Sequence, residues 1–213
     1  MKRIDTKNKL WILYLPLATF VIMVGCSFIP GIGMITDNSK IYMNLYNALF
    51  AGGKIMIEKN GEISIITYTG GFSWLGLLSV LLAIISFVSY IFVVKDSFQN
   101  EVADVKVTKV ASILMILSGI IMIFYNKFGT DIIYYGSEKV NISYETFFQG
   151  FDFLSGGLIW IIGSIVSGCI SFYLVTIDDL RHDNEFLKDF VFENRDAIEE
   201  LMEEKENHQQ DIN

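Results

Sequence analysis

Residues 72–94 read FSWLGLLSVLLAIISFVSYIFVV and contain no acidic, basic or histidine residue. About 20 consecutive apolar residues in a helix cross the hydrocarbon core of a bilayer, because only a helix or a closed barrel satisfies its own backbone there. This stretch therefore predicts a membrane-spanning helix, and it sets the frame for the rest of the chain.

Three other stretches have the same character, and the whole chain has a mean hydropathy of +0.45. They are residues 10–29, 110–125 and 153–177, of which 110–125 is short for a span and 10–29 contains Pro16, which predicts a kink. With 72–94 they predict an all-α membrane protein, a four-transmembrane-helix bundle.

The cations flanking the spans predict their orientation. Residues 1–9 and the short 95–109 loop are rich in lysine and arginine, whereas the longer loops 30–71 and 126–152 carry few for their length. Cytoplasmic segments carry an excess of these residues. We therefore expect a cell-membrane protein with both termini in the cytoplasm and an acidic cytoplasmic tail over residues 178–213.

A second interpretation concerns the first apolar run. Basic residues, an apolar stretch and Met23–Cys26 resemble a bacterial lipobox, and cleavage there would leave a lipidated Cys26 ahead of three spans. The apolar run continues without a break through residues 27–29, which favours a permanent first helix.

The chain also matches itself at an offset of 79 positions. Between residues 45–75 and 124–154, eight of 31 aligned residues are identical. The match predicts two parallel helical-hairpin repeats, residues 1–94 and 110–177, each made of a span, an outer loop and a second span.

The outer loops carry β signals. Asn60-Gly61 lies between β-branched runs and predicts a two-residue type I′ hairpin that pairs Lys59 with Glu62. Residues 132–135 and 140–144 flank a polar turn and predict a second hairpin. Joined at their edges, the two small hairpins would form an outer sheet.

Aromatic residues collect where these loops meet the membrane. The candidate outer aromatic interface comprises Phe72, Trp74, Phe151 and Phe153. Such residues form an interfacial belt in many membrane proteins, and a docking surface for a ligand or partner is the alternative.

Small residues recur every fourth position in the last span. The candidate helix-association face is Gly163, Ser164, Ser167, Gly168 and Ser171. Small residues let helix backbones approach closely, so this face predicts packing within the chain, an oligomer interface or, third, the lining of a pore.

The tail predicts an amphipathic helix with an apolar stripe. The candidate tail stripe comprises Phe186, Leu187, Phe190, Val191, Ile198 and Leu201. Thirteen acidic residues against four basic ones over 178–213 disfavour anionic lipid and exclude nucleic acid as a partner. The stripe therefore predicts self-association, a protein partner or packing under the bundle.

Catalytic chemistry is sparse in the sequence. No predicted span contains Asp, Glu, Lys, Arg or His, both histidines lie in the polar tail, and the cysteines, Cys26 and Cys169, are isolated in apolar runs. We therefore predict no catalytic residues, no cofactor and no metal site.

These observations favour a non-enzymatic accessory, assembly or regulatory subunit that acts through helix–helix and loop contacts. Its expected partners are the lipid bilayer and either further copies of itself or another membrane protein. A small oligomeric channel or transporter, and a membrane immunity protein, are the alternatives.

Overall fold

The computed structural model of the chain describes residues 3–5, 10–36, 38–49, 53–69, 71–100, 102–135 and 139–193. These residues form six helices: α1 (Leu10–Cys26), α2 (Leu45–Leu49), α3 (Trp74–Asn100), α4 (Val105–Met122), α5 (Tyr144–Phe147) and α6 (Ser155–Glu193). They also form nine strands: β1 (Arg3–Asp5), β2 (Pro30–Thr36), β3 (Ser39–Asn44), β4 (Gly53–Lys59), β5 (Glu62–Thr69), β6 (Val102–Asp104), β7 (Ile132–Tyr135), β8 (Lys139–Ile142) and β9 (Asp152–Phe153).

The connection between α1 and α3 and the connection between α4 and α6 together build one antiparallel sheet. Its strand order is β8-β7-β5-β4-β3-β2-β9, so strands from both connections share the sheet. The prediction of an all-α bundle with only small hairpins is therefore wrong, and the fold is mixed α/β. The predicted hairpin at Asn60-Gly61 is confirmed, with both residues at positive φ and Lys59 opposite Glu62. The β7–β8 hairpin is confirmed as well.

The error lies in residues 30–44, where β2 and β3 form a further hairpin. Pro30, Gly31 and Gly33 are poor strand formers, which hid β2 from sequence reasoning. Both glycines are explained by close packing: a Cβ on Gly31 would lie 2.7 Å from the Leu45 Cβ, and one on Gly33 would lie 2.9 Å from Leu154 Cδ1.

Four helices pack side by side in the remainder of the fold. α4 contacts α3 and α6, and α1 contacts α3 and α6. Three of them are long and apolar enough to cross a membrane, over Trp74–Gln99, Val105–Met122 and Ser155–Leu180. α1, with 17 residues, is shorter than these three, so helix length supports three of the four predicted spans.

The predicted internal repeat is not supported. Residues 63–68 belong to strand β5, whereas the aligned residues 142–147 leave strand β8 and enter helix α5. Similar aromatic and glycine spacing thus encodes different secondary structure in the two segments, because each pairs with different neighbours in the sheet.

The ends of the helices are tied together in two sets. β1 pairs with β6, so the N-terminal strand lies beside the α3–α4 connection. At the other end the sheet packs on the helices through a shared cluster that includes Ile32, Met43 and Ile55 from the strands and Met23 and Trp160 from the helices.

The helices bury small polar residues and expose large apolar ones, which is the reverse of a soluble helical bundle. Their buried polar residues are mostly serines, whereas large aliphatic side chains point outward, including Leu78, Leu81, Ile85 and Val88 on α3. An apolar outer surface over small polar contacts is favourable in lipid and unfavourable in water. This pattern and the three long apolar helices fit a membrane location.

Candidate interaction surfaces

One face of the sheet points away from the helices and is partly apolar. We define the outer sheet face as Ile35, Tyr42, Met56, Ile63 and Ile65. Tyr42 lies opposite Met56, and Met56 lies opposite Ile65, so their side chains share this face. Ile63 and Ile65 are 62% and 57% exposed. The face also carries Lys40 and Glu58, whose charged groups lie 4.0 Å apart.

The opposite face of the same strands fixes the sheet in place. Ile32, Met43 and Ile55 are buried, and Ile41 and Ile57 pack against the same core. Because side chains alternate along a strand, burial of these residues turns Ile63, Ile65 and Met56 outward. The outer sheet face is thus presented on a scaffold that is anchored from below.

A polar cleft of about 230 Å³ opens between two hairpin tips next to this face. It is lined by Thr36, Asn38, Ser39, Lys40, Glu58, Asn60 and Gly61. Thr36 Oγ1 lies 2.7 Å from Ser39 Oγ and 3.0 Å from the Ser39 carbonyl oxygen, so the β2–β3 turn satisfies its own hydroxyls. The cleft adds hydrogen-bonding groups beside the apolar residues of the outer sheet face.

The predicted helix-association face lies inside the chain. Ser164, Ser167 and Ser171 are buried, and a Cβ on Gly168 would meet the Ser112 carbonyl oxygen of α4 at 2.8 Å. Gly163 instead faces Thr19 of α1, at 3.1 Å from an added Cβ. These five residues therefore serve two different helix contacts within one chain.

The buried hydroxyls of the helices form hydrogen bonds with each other or with backbone carbonyls. Ser79 donates to the Ser118 carbonyl at 2.7 Å, and Ser86 donates to the Ala111 carbonyl at the same distance. Tyr90 Oη and Ser112 Oγ are 2.7 Å apart. Such contacts join helices in an apolar medium, and these hydroxyls are screened from solvent.

The predicted outer aromatic interface divides into two groups. The rings of Phe72 and Trp74 contact each other at 4.3 Å, and Trp74 is exposed. Phe153 packs on Tyr125, and Phe151 packs on Phe148, both within the sheet–helix core. Sequence reasoning missed four exposed aromatic residues at the helix ends and connections on this side, namely Phe28, Tyr46, Phe124 and Phe128.

Tyr125 is the buried polar group of note at this end. Its hydroxyl has no hydrogen-bond partner among the described residues. Tyr125 lies beyond the last residue of α4, and burial, followed by the charge of Asp152, raises the pKa of its hydroxyl above the usual value for tyrosine. The phenol is therefore held in its neutral form.

The opposite end of the helices carries an ion pair. Lys109 Nζ of α4 lies 2.7 Å from Asp179 Oδ2 of α6, and both side chains are largely shielded from solvent. Asp104 caps α4 by accepting from the backbone amides of Lys106 and Val107. This pair connects two of the long helices where their apolar stretches stop.

The tail stripe is placed only in part. Helix α6 runs without interruption from Ser155 to Glu193 and contains Phe186, Leu187, Phe190 and Val191. The structure describes the backbone of these four residues but not their side chains. Ile198 and Leu201 lie outside the described residues. The predicted separate tail helix is, up to Glu193, the continuation of the last apolar helix.

Within the described ranges, no group of three or more His, Cys, Asp or Glu residues is placed to hold a metal ion. Comparison with protein-family models and with curated proteins finds no match to this chain. The outer sheet face and the helix contacts are therefore the features of the described residues that bear on function.

Proposed function

We propose that the chain is a non-enzymatic accessory or assembly subunit of a membrane complex, and that its outer sheet face binds a protein partner. The observation that carries the proposal is the group of exposed Met56, Ile63 and Ile65 on a sheet whose other face packs on the core. Ile35 is exposed on the same face, beyond the Lys40–Glu58 pair. An exposed apolar patch is typical of a protein-binding site.

The chemistry of the face indicates the kind of partner. Met56 and Ile65 follow Tyr42 in one row across the strands, and the Lys40–Glu58 pair lies in the next row, between Ile35 and Ile63. Protein interfaces combine apolar contacts with hydrogen bonds and charged groups. We expect a partner that buries an apolar segment over Ile63 and Ile65 and donates hydrogen bonds into the cleft.

The same proposal includes a location and an orientation. The lysine-rich N terminus and α3–α4 connection would face the cytoplasm, and the sheet would face outside. The acidic end of α6 would then be cytoplasmic. Pairing of β1 with β6 supports the first part, because it brings both cation-rich segments to one end of the helices.

The test uses a pair of matched variants of the same hairpin. Ile63→Ser with Ile65→Ser removes apolar surface from the outer sheet face, whereas Lys59→Gln with Glu62→Gln changes two exposed residues at the turn. Each tagged protein is expressed in its native membrane, gently solubilised and purified, and its complex is measured by native mass spectrometry. Wild type and control should retain a stoichiometric second protein, and the Ile63/Ile65 variant should lose roughly tenfold or more of it.

Two outcomes would contradict the proposal. Equal recovery of the second protein by both variants would remove the outer sheet face from the interface. A closed homo-oligomer without a second protein would instead favour the channel or transporter, and flux measurements on reconstituted protein would follow.

A further inference from the structure

Five exposed aromatic residues surround the junction between helices and sheet. We define the aromatic collar as Phe28, Tyr46, Trp74, Phe124 and Phe128, all of which are exposed. Phe28 and Tyr46 stack with ring centres 5.9 Å apart. The collar includes residues from several helix ends: Phe28 follows α1, Tyr46 lies in α2, Trp74 begins α3, and Phe124 and Phe128 follow α4.

Hydrogen bonds hold these helix ends at one level. The Trp74 amide donates to the Phe128 carbonyl at 3.2 Å, and the Ser73 hydroxyl donates to the Tyr125 carbonyl. The Tyr46 amide donates to the Ser27 carbonyl at 3.2 Å, beside Phe28. Together with the Leu154 amide, which donates to Gly31 at the start of α6, these bonds place the ends of all four packed helices together.

The apolar stretches of α3 and α6 below the collar have the length of a bilayer core. From Trp74 to Val94, before the first charged residue of α3, a helix rises about 30 Å. From Ser155 to Ile177 on α6 it rises about 33 Å. The hydrocarbon core of a bilayer is about 30 Å thick. The Lys109–Asp179 pair lies at the far end of this distance.

Phe128 is the least expected member of the collar. Its side chain is 75% exposed, and its backbone has φ +55, a conformation that residues with a Cβ rarely adopt. The adjacent Lys127 pairs with Glu145. A large apolar ring held outward beside an ion pair fits a boundary between apolar and polar surroundings.

We infer that the aromatic collar lies in the headgroup region of a lipid bilayer and fixes the depth of the protein, with the sheet standing in water above it. The amphipathic rings of Trp and Tyr favour this region, and the collar contains Trp74 and Tyr46. The occupant of the collar is thus lipid, and the outer sheet face, on the far side of the sheet core, remains free for the proposed partner.

Site-directed spin labelling tests the inference. In a background with Cys26→Ser and Cys169→Ser, single cysteines replace Phe28, Tyr46, Phe124 or Phe128, and each variant keeps the other collar rings. Reference labels are Val88→Cys, on the exposed side of α3, and Asn60→Cys, at the β4–β5 turn. The proteins are reconstituted into phosphatidylcholine vesicles with a minority of phosphatidylglycerol, and label access to oxygen and to a water-soluble nickel chelate is measured.

The four collar labels should give one common depth, between that of Val88 and that of Asn60. Collar labels as accessible to nickel as Asn60 would place the collar in water and overturn the inference. Collar labels as protected as Val88 would overturn it as well, since the bilayer would then reach the sheet. Matching gel-filtration profiles and circular dichroism establish that each labelled protein is folded.

Discussion

At the scale of single residues, substitution by alanine should have opposite effects on stability at two glycines. An added Cβ at Gly129 would lie 2.6 Å from the Cβ of buried Tyr144, whose hydroxyl donates to the Ala48 carbonyl. At Gly25, in α1, the same atom would meet nothing within 4 Å. Gly129→Ala should therefore lower the free energy of unfolding by about 1–3 kcal/mol.

Gly25→Ala is the matched control. It should raise stability by about 0.5–1 kcal/mol, because alanine favours the helix and nothing obstructs it. Unfolding of both variants is followed by denaturant titration in the same detergent. Equal effects of the two substitutions would mean that Tyr144 moves aside freely.

Tyr125→Phe tests a buried hydroxyl. Because this hydroxyl has no partner among the described residues, its removal should leave stability unchanged or raise it by about 1 kcal/mol at neutral pH. The raised pKa of Tyr125 adds a pH dependence. Above about pH 10 the unfolded state releases the phenol proton while the folded state keeps it, so stability falls by up to about 1.4 kcal/mol per pH unit.

The difference between wild type and Tyr125→Phe isolates this contribution from the other tyrosines and lysines. It should be constant below pH 10 and should change in favour of the variant above it. Unfolding curves measured from about pH 7 to 11 provide the check, and a difference that stays flat throughout would show that Tyr125 is accessible to base.

At the scale of elements, one ion pair joins α4 to α6. Lys109→Ala removes the cation and leaves Asp179 partly buried, so it should cost about 1–2 kcal/mol. Exposed Lys106, one turn away, provides the control, and Lys106→Ala should change stability by less than about 0.5 kcal/mol. A double-mutant cycle with Asp179→Asn measures the coupling, and additive effects would show that the 2.7 Å contact contributes nothing.

The helices and hairpins differ in how far the sequence predicts them. Uncharged apolar runs predict α3, α4 and the first part of α6, because the bilayer constraint acts on composition alone. Asn60-Gly61 predicts its hairpin because few residue pairs accept two positive φ angles. β2 escapes prediction, since its glycines are selected by neighbours distant in sequence, such as Leu154.

The candidate surfaces show the same limit. The spacing of small residues at every fourth position of α6 does not tell which neighbour each residue faces, and Gly163 and Gly168 face different helices. Phe151 and Phe153 have the composition of an interface, yet they pack on Phe148 and Tyr125. Exposure at these positions depends on contacts between residues that are distant in the chain, and a single sequence does not show which residues make those contacts.

At the scale of the whole molecule, the fold predicts two chemically separate ends. Asn60, at the β4–β5 turn, and Lys106, at the start of α4, are both exposed and lie at opposite ends of the helices. In the background without native cysteines, Asn60→Cys in intact cells should react with a membrane-impermeant maleimide. Lys106→Cys should react only after permeabilisation. Reaction of both in intact cells would contradict the proposed orientation and the membrane crossing by α3.

The closing strand of the sheet has a consequence for synthesis. β2 gains its outer neighbour, β9, only when Asp152 and Phe153 have been made. At about 5–20 residues per second, the roughly 115 residues between Thr36 and Asp152 take on the order of 6–23 s. Throughout that interval the nascent chain presents an unpaired strand edge, of the kind that recruits stray strands. Pairing at this edge of the sheet is therefore completed only after translation has passed Phe153.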